Sequence, residues 1–397
     1  MKLHSLFSRY QFFHIVNIFL ILGYVSFVIF MPADNLSLKK IVLFLILIIN
    51  APLLINRFIE FRPRMIYLFG LIYPVCICLC SIISGGYVYE SLSATYFFIS
   101  LLLVVVIIDY DIQYEKILVF VLDCLAIVIL ISAILDFFGL YDLYDNYLLM
   151  YLHRTGNAMV GKSIIYTVFY IIFIKTSPLL LIPLLYYLNN RRYLTAIVIL
   201  SALVLSGTRA NIFMGILATF GFFLLCYENR YAKVIIIIGI ILLGFYWSNE
   251  IYNILVSIFQ RKAHSDAIRL GHYLSIREIL SDPVNLIWGM GYGVPFYSAG
   301  INAMTSQTEL SYLEVIRTSG LLGAIPLLFF YIFPLYKMYS NKNKRYKIIA
   351  CVGYLTIAAT NPLLLSTTAF LMYIYIYGDY YVDYSIKDNL FILFHAD

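Results

Sequence analysis

The sequence predicts an all-α polytopic membrane protein, and three observations support this class. The chain of 397 residues is 63% hydrophobic and only 12% charged, whereas a typical soluble domain is about 45–50% apolar and about 25% charged. The mean hydropathy is +0.90. Apolar runs close to the roughly 20 residues that a membrane helix needs recur from end to end. We therefore expect one integral membrane domain over residues 1–397, with lipid in place of water as its solvent.

The first apolar run, 12–31, follows Lys2 and Arg9. It is longer than the core of a signal peptide, and FMPADN is a poor cleavage site, so we predict an uncleaved first span. Further apolar runs bring the prediction to about twelve spans. They cover residues 12–31, 39–55, 64–84, 91–108, 116–138, 176–189, 193–206, 209–226, 232–248, 311–336, 346–360 and 363–378. An even number of spans places both termini on the same side of the membrane.

The lysine and arginine residues predict the orientation of these spans, because such residues concentrate in cytoplasmic segments. With both termini in the cytoplasm, the inner segments hold most of the 27 basic residues, and KMYSNKNKRYK at 337–347 is the strongest marker. Most exceptions fall in two long outer loops, about 139–175 and 249–310, or at Arg209. Loops of this length are usually functional, so the exceptions are also candidates for function.

Each outer loop is predicted to contain a helix that does not cross the membrane. In the first loop, IIYTVFYIIFIK at 164–175 is too short and too charged at its end for a span, so we predict an interfacial helix. In the second, SDAIRLGHYLSIREILSDP at 265–283 predicts an amphipathic helix, with Asp266 near its start and Pro283 just past its end. WGMGYG at 288–293 lacks the βαβ unit of a dinucleotide site, so its glycines predict a tight turn back to the membrane.

LSGTRAN at 205–211 interrupts an apolar run, 193–226, that is far longer than one span needs. Basic residues flank the run on both sides, so we predict a hairpin that turns at Ser206–Gly207–Thr208. Its arms are short, which puts the turn below the outer surface, at the floor of a water-filled depression. Arg209 would face that depression, where a cation needs an anion, and is therefore a functional candidate. The alternative is an arginine that reaches the headgroups or pairs with a structural acid such as Glu314.

Other arginines of the outer loops are candidate ligands for a phosphate, because the guanidinium group is planar and permanently charged. Arg154 lies in the turn-forming stretch HRTGN at 153–157. Arg261, Arg269 and Arg277 follow at a spacing of eight residues, which drifts only about 80° per step around a helix. This set either holds a diphosphate or forms a solvated face near anionic lipid.

TELSYLEVIRTSGLLG at 308–323 begins a span, with Glu309 at its outer end. A carboxylate beside a basic cavity is suited to act as a general base, although an acid at a helix N-terminus is also stabilised by the helix dipole alone. Glu314 and Arg317 are predicted to pair with each other. His272 has no partner at metal-ligand spacing, and all cysteines lie in apolar runs, so we predict neither a metal site nor a cofactor.

Taken in order, these stretches form a pattern: RTGN in a long outer loop, LSGTRAN, an arginine-bearing helix with GMGYG, ELSYLEVIRTSGLLG, and NPLL at 361–364. The pattern resembles the O-antigen polymerases, within the wider superfamily that includes the O-antigen ligases, and covers about residues 150–365. Ligases usually carry a histidine–asparagine pair before the tyrosine–leucine of the last motif. Glu309 and Leu310 stand there instead, which favours a polymerase over a ligase.

The resemblance implies a GT-C-like fold and an inverting, metal-independent glycosyltransferase on the periplasmic face of the bacterial inner membrane. Its substrate would be glycan repeat units on undecaprenyl diphosphate, and a chain-length regulator is a candidate partner beside membrane lipid. No basic–aromatic alternation suggests a nucleic-acid partner. The residues implied are Glu309 and Arg209 for catalysis, Arg154, Arg209 and Arg269 for the diphosphate, and Arg261, Arg277, His272 and Tyr312 as candidate substrate contacts.

Three other functions remain open at this stage. A flippase or other transporter of lipid-linked glycans should show internal repeats and broken helices in matching halves, and the sequence indicates neither. A ligase that transfers glycan to a lipid A core is disfavoured by the missing histidine. A non-catalytic membrane scaffold does not account for Arg209.

Overall fold

The computed structural model describes residues 2–32, 37–60, 63–162, 170–227 and 263–394. The described residues are mostly helical, and their strands form two antiparallel pairs. At this level the predicted class, a helical membrane protein, is confirmed. The predictions made for Arg261 and for the apolar run 232–248 lie outside the described residues.

The first part of the chain is built from helices. They are α1 (Lys2–Phe30), α2 (Leu38–Ile49), α3 (Ala51–Ile59), α4 (Arg64–Tyr67), α5 (Tyr73–Ile83), α6 (Val88–Thr95), α7 (Leu103–Asp109), α8 (Tyr114–Phe137) and α9 (Tyr147–Arg154). A π-helical turn joins α4 to α5, and a 3₁₀ segment joins α6 to α7. Each of these two pairs therefore forms one helical rod, Arg64–Ile83 and Val88–Asp109.

The second part adds the two hairpins. Its elements are β1 (Ala158–Lys162), β2 (Tyr170–Ile174), α10 (Leu181–Asn189), α11 (Tyr193–Leu205), α12 (Arg209–Leu225), α13 (Ala263–Ile279), α14 (Pro283–Trp288), β3 (Phe296–Ser298), β4 (Ala303–Thr305), α15 (Ser311–Met338), α16 (Arg345–Ala358) and α17 (Thr367–Phe394). Short 3₁₀ turns lie at Leu143–Asp145, Ser177–Leu180 and Lys342–Lys344. α13 confirms the helix predicted in the second loop.

In the described ranges, fewer helices than the sequence predicts are long and apolar enough to cross a membrane. Among the described residues, five rods are long and apolar enough: Gln11–Phe30, Arg64–Ile83, Val88–Asp109, Tyr114–Phe137 and Ser311–Met338. α2 and α3, bent by 65°, form a sixth if they are taken together. The apolar helices Ser177–Asn189, Tyr193–Leu205 and Arg209–Leu225 are shorter. By length and composition the structure therefore supports five or six spans.

Large apolar side chains lie on the outside of the bundle as well as in its core. Phe19, Ile48 and Ile83 are each more than two-thirds exposed. An apolar surface of this kind is unfavourable in water and is typical of helices that face lipid. In the core, aromatic rings pack closely, and Phe330 stacks on Tyr377 with ring centroids 4.5 Å apart.

One end of the bundle, here called the ion-pair end, collects charged contacts between connections. Arg57 Nη2 lies 2.7 Å from Asp109 Oδ1. Lys347 Nζ lies 3.0 Å from Glu115 Oε2 and 3.1 Å from Asp379 Oδ1. The first contact joins the ends of α3 and α7. The other two join the starts of α8 and α16 to α17.

The opposite end, here called the loop end, collects the long connections. The Thr176 hydroxyl donates to the Ile29 carbonyl at 2.7 Å, and the Ser91 hydroxyl donates to the Tyr292 carbonyl at 3.1 Å. The segment before α10 therefore contacts the end of α1, and the segment after α14 contacts the start of α6. From α1 to α12, the described connections lie at the two ends in turn.

The interfacial helix predicted over 164–175 is wrong in its described part. Tyr170–Ile174 is strand β2, which pairs antiparallel with β1, with Ala158 opposite Ile174. The segment is rich in β-branched and aromatic residues, which fit a pleated surface better than a helix. Ile172 and Ile174 are fully buried, so the strand is held by packing as well as by pairing.

Candidate functional site

LSGTRAN forms the predicted hairpin turn between α11 and α12. α11 ends at Leu205 and α12 begins at Arg209, and Gly207 between them has a φ of +70°, which glycine tolerates. The arms have 13 and 17 residues, about 20 and 26 Å, so both are shorter than a ~30 Å hydrocarbon core. A Cβ on Gly207 would lie 2.9 Å from Ile171 Cα, so the turn packs directly against β2.

Arg209 is half-buried at the first position of α12. The Thr208 hydroxyl caps this helix and accepts from the Asn211 backbone N–H at 3.3 Å. The buried Asn211 amide donates to Ser177 Oγ at 2.8 Å and to Ser206 Oγ at 2.9 Å, which fixes the turn. Because a helix N-terminus carries partial positive charge, this terminus and the arginine together favour an anion.

α12 and α16 run antiparallel, which places Arg209 at the loop end. Near the ion-pair end, Arg345 Nη1 donates to the Leu225 carbonyl at 3.5 Å. Farther along, a Cβ on Gly353 would lie 3.5 Å from Met214 Cε. The start of α12 is therefore level with the C-terminal end of α16, where NPLL follows.

Asn361 of NPLL connects this region to ELSYLEVIRTSGLLG. The Ser311 hydroxyl donates to the Asn361 carbonyl. The hydroxyl of Tyr312, which is 36% exposed, donates to the backbone of α16 at 2.9 Å. The start of α15 thus packs on the end of α16, and Glu309 lies at the same end of the bundle as Arg209.

Glu309 forms an ion pair with Arg269 of α13. Arg269 Nε lies 3.1 Å from Glu309 Oε2, and Arg269 Nη1 lies 3.4 Å from Asp266 Oδ1. The exposed fractions are 27% for Arg269, 48% for Glu309 and 47% for Asp266, so the cluster faces outward from the core. An exposed pair of this kind adds little stability and can be exchanged for another partner. The structure thus brings together Arg269 and Glu309, two candidate residues from separate sequence motifs.

A second, buried ion pair anchors the loop that carries Glu309. Arg317 is fully buried, and its Nη2 and Nε donate to the two oxygens of Glu314 at 2.6 and 3.1 Å, as predicted. The same guanidinium donates to the carbonyls of Ser306 at 3.0 Å and Val294 at 3.3 Å. Glu314 is therefore the structural partner of Arg317, and both of its carboxylate oxygens accept from that guanidinium.

The glycines of WGMGYG form the predicted turn, which inserts at a break in α15. All three have positive φ. Met290 N–H donates to the Arg317 carbonyl at 2.7 Å, and Gly291 N–H donates to the Thr318 carbonyl at 2.9 Å. The helix does not use these carbonyls because Gly320, at φ 60° and ψ −176°, interrupts it. The turn therefore satisfies the backbone of a broken span.

A cleft of about 390 Å³ lies between α13 and the start of α15. Arg277 is exposed at its rim, and within the described ranges no carboxylate pairs with it. Apolar side chains with a few polar groups at the rim are typical of small-molecule sites. The residues that line the cleft are Tyr273, Ile276, Arg277, Leu280, Ser281 and Leu313.

Arg154 and His272 do not join this group. Arg154 is exposed at the end of α9, beside the Ala158 end of the β1–β2 hairpin. LSGTRAN packs on the other end of this hairpin, at Tyr170. The two ends are about four strand residues, or ~13 Å, apart. His272 is buried, and its Nδ1 lies 2.6 Å from Ser298 Oγ. The imidazole joins α13 to β3, and the substrate contact named for it stays a prediction.

Of the residues that line the cleft, the sequence motifs indicated only Arg277, and Tyr273 is the aromatic residue among the others. It lies four residues after Arg269 and four before Arg277, so the three project from the same side of α13. This spacing in the sequence indicates that Tyr273 lies beside the two arginines. Arg261, the remaining arginine of the predicted series, lies outside the described residues.

Comparison with known proteins identifies no relative: no protein family, curated protein or solved structure matches this chain. The residues and contacts described above are therefore the basis for a functional proposal.

Proposed function

We propose that the chain is a surface-polysaccharide polymerase of the O-antigen polymerase type, which joins oligosaccharide repeat units carried on undecaprenyl diphosphate. The observation that supports it best is the 3.1 Å contact between Arg269 and Glu309, at the same end of the bundle as Arg209. Such a transfer needs a cation that suits a diphosphate and a carboxylate that suits an acceptor hydroxyl. Arg269 is such a cation and Glu309 is such a carboxylate, and the two are in contact at the loop end.

The Arg269–Glu309 contact suggests an order of events. The pair is exposed and worth about 0–1 kcal/mol, so a more highly charged diphosphate can displace the carboxylate from the guanidinium. Asp266, 3.4 Å from Arg269, stays in place to orient it. Glu309 is then free to accept a proton, so binding of the donor prepares the base.

The transfer breaks the bond between the anomeric carbon and the diphosphate oxygen, and it forms a bond from the acceptor hydroxyl oxygen to that carbon. Glu309 takes the hydroxyl proton, and undecaprenyl diphosphate leaves with the bonding electron pair. Arg209 and Arg269 stabilise the charge that develops on the leaving oxygen. Direct displacement inverts the anomeric centre. Arg154, at the far end of the β1–β2 hairpin, contacts a more distant part of the donor.

The finer topology belongs to the same proposal. About twelve crossings in a GT-C-like arrangement fit the alternation of the connections, with the short helices α10 to α12 crossing where the loop end dips into the membrane. The loop end would face the periplasm. The ion-pair end, with both termini, would face the cytoplasm, because basic residues such as Arg191, Arg192 and Lys342 lie on that side. A chain-length regulator would bind this assembly from the membrane or the periplasm.

Arg209→Ala and Glu309→Ala test the proposal in cells. Each variant should reach the membrane at the wild-type level but lose long glycan chains, because loss of a general base alone slows transfer about 10²–10⁴-fold. A gel of surface glycan would then show lipid with a single repeat. Leu270→Ala, an exposed change on α13 outside the cleft, should keep the normal ladder. A normal ladder from both test variants would contradict the mechanism.

A transporter of lipid-linked glycans is the second candidate, and one observation favours it. α15 is broken at Gly320, and α2 and α3 are bent by 65°, whereas the sequence indicated no broken helices. Discontinuous helices are common in transporters, although there they occupy corresponding positions of two repeats. The same gel separates the two functions, since loss of a transporter removes even the single-repeat product.

A further inference from the structure

The cleft between α13 and α15 lies one helical turn along each helix from the Arg269–Glu309 pair. On one wall, Tyr273 lies one helical turn, about 6 Å, beyond Arg269. On the other wall, Leu313 belongs to the first turn of α15, directly after the segment that holds Glu309. A molecule in the cleft would therefore meet the Glu309 carboxylate at one end.

The lining of the cleft combines an aromatic ring, an apolar floor and polar donors. Tyr273 is 43% exposed, so part of its ring is open to a ligand. Leu280 and Leu313 contribute apolar surface, Arg277 contributes N–H donors, and Ser281 contributes a hydroxyl oxygen that can accept. A pyranose ring has the same two-sided chemistry, with C–H groups on its faces and hydroxyl groups at its edge. A tyrosine with an apolar body and a polar tip suits such a ligand.

Other ligands fit this lining less well. Among the described residues that line the cleft, Arg277 is the one cation, whereas a diphosphate calls for several. A hydrocarbon chain would cover the Arg277 charge without giving it a partner, which is costly. A saccharide can accept hydrogen bonds from Arg277 while its apolar face covers the floor.

We propose that this cleft is the subsite for the acceptor saccharide, with a sugar ring stacked on Tyr273. The inference rests on the polymerase function proposed above and adds the place of the second substrate. Arg277 donates to hydroxyl or carboxylate oxygens of the sugar, and the Ser281 hydroxyl oxygen, whose own proton is donated to the Glu278 carbonyl, accepts from a sugar hydroxyl. The acceptor hydroxyl then lies beside Glu309, while Arg269 remains for the donor diphosphate. Tyr273 determines how well the acceptor binds and takes no part in bond making.

The experiment compares Tyr273→Ala, Tyr273→Phe and Leu270→Ala in the full-length protein reconstituted in lipid. The substrate is the lipid-linked repeat unit extracted from cells of the source strain that lack this chain. We expect Tyr273→Ala to raise KM about tenfold with kcat within about twofold, because a stacking contact made before and during the reaction affects binding only. Tyr273→Phe keeps the ring and Leu270→Ala lies outside the cleft, so both should match the wild type.

Three results would overturn the inference, and they are distinguishable. An unchanged KM in Tyr273→Ala, with an active wild-type protein, would remove the subsite and leave the polymerase function standing. A tenfold weaker Kd of Tyr273→Ala for sugar-free undecaprenyl diphosphate would assign the cleft to the diphosphate instead. A wild-type protein that does not extend the lipid-linked repeat would overturn both the subsite and the proposed function.

Discussion

At the scale of single residues, Arg317 determines the shape of the loop that carries Glu309. It is completely buried, its guanidinium lies 4.4 Å from the centroid of the Phe296 ring, and it binds both oxygens of Glu314. A buried charge is tolerated only when it is paired and fully hydrogen-bonded, and removal of one partner leaves the other uncompensated. Arg317 therefore acts on the site by holding the segment before Glu309 in place.

Arg317→Ala should lower the free energy of unfolding by about 3–5 kcal/mol, because Glu314, which is only 12% exposed, loses its partner. Thermal unfolding of the purified protein in detergent measures the change. Lys342→Ala removes the same charge from an exposed turn and should leave the transition within about 0.5 kcal/mol of the wild type. Equal transitions for the two variants would show that the buried pair does not anchor the loop.

Residue-level predictions succeeded where the interaction is local. The Glu314–Arg317 pair could be predicted because residues three apart meet on a helix. The contact between Arg269 and Glu309 joins residues 40 positions apart, and no local rule gives that distance. The burial of His272 likewise depends on a partner from a later hairpin.

At the scale of elements, the break in α15 connects two motifs that are separate in the sequence. A Cβ on Gly320 would lie 2.2 Å from the Ile287 carbonyl oxygen and 2.6 Å from the Gly289 nitrogen. The backbone of the WGMGYG turn thus occupies the place that a side chain at 320 would take. Its N–H groups satisfy the carbonyls that the break leaves free, so turn and break stabilise each other.

Gly320→Ala should destabilise the protein by about 3 kcal/mol or more, because it adds a steric clash to an unfavourable backbone conformation. Gly85→Ala is the matched control. Gly85 also has a positive φ, +90°, but no atom lies within 4 Å of its virtual Cβ, so only about 1–2 kcal/mol should be lost. Thermal unfolding of both variants separates the two effects, and equal losses would mean that the turn does not pack into the break.

Elements with a strong apolar run were predictable, and elements defined by partners were not. The hydropathy and the turn residues of the local sequence predict α8, α13 and the LSGTRAN hairpin. β2 was mistaken for a helix because its pairing with β1 is a tertiary contact. The bend between α2 and α3 is fixed by buried Asn50, whose side chain exchanges hydrogen bonds of 2.7 and 3.1 Å with Asn17.

At the scale of the whole molecule, the two ends of the bundle have different chemistry. The ion-pair end combines internal ion pairs, such as Arg57 with Asp109 at 2.7 Å, with exposed basic residues such as Arg191 and Lys342. The loop end carries Arg277 at an open cleft and an exposed pair at Glu309. Of these two ends, the loop end therefore combines a cation and a carboxylate with a cleft.

The orientation of the two ends can be tested with Met304→Cys and Asn343→Cys in a variant without the six natural cysteines. Met304 is 62% exposed on β4, and Asn343 is exposed near the start of α16. A membrane-impermeant thiol reagent added to intact cells permeable at the outer membrane should label position 304 and not 343, because basic segments stay in the cytoplasm. Labelling at 343 alone would invert the proposed topology.

The order of the connections from α1 to α12 could be predicted at this scale, because apolar runs indicate the helices and basic residues indicate one end of the bundle. The count of twelve spans could not be checked in the same way, because hydropathy does not show bending or shortening. α10 to α12 are shorter than a full crossing, and α2 with α3 is bent. Sequence patterns therefore predicted the order of the chain through the bundle better than the geometry of each pass.

The central claim is that the loop end transfers glycan from one lipid diphosphate to another, with Glu309 as the base and Arg209 at the leaving group. The most direct measurement uses the purified protein in lipid vesicles with the lipid-linked repeat unit and follows product length by gel. We expect the wild type to produce a ladder and Glu309→Gln and Arg209→Ala to extend chains at least about 100-fold more slowly. Extension by both variants at the wild-type rate would contradict this account.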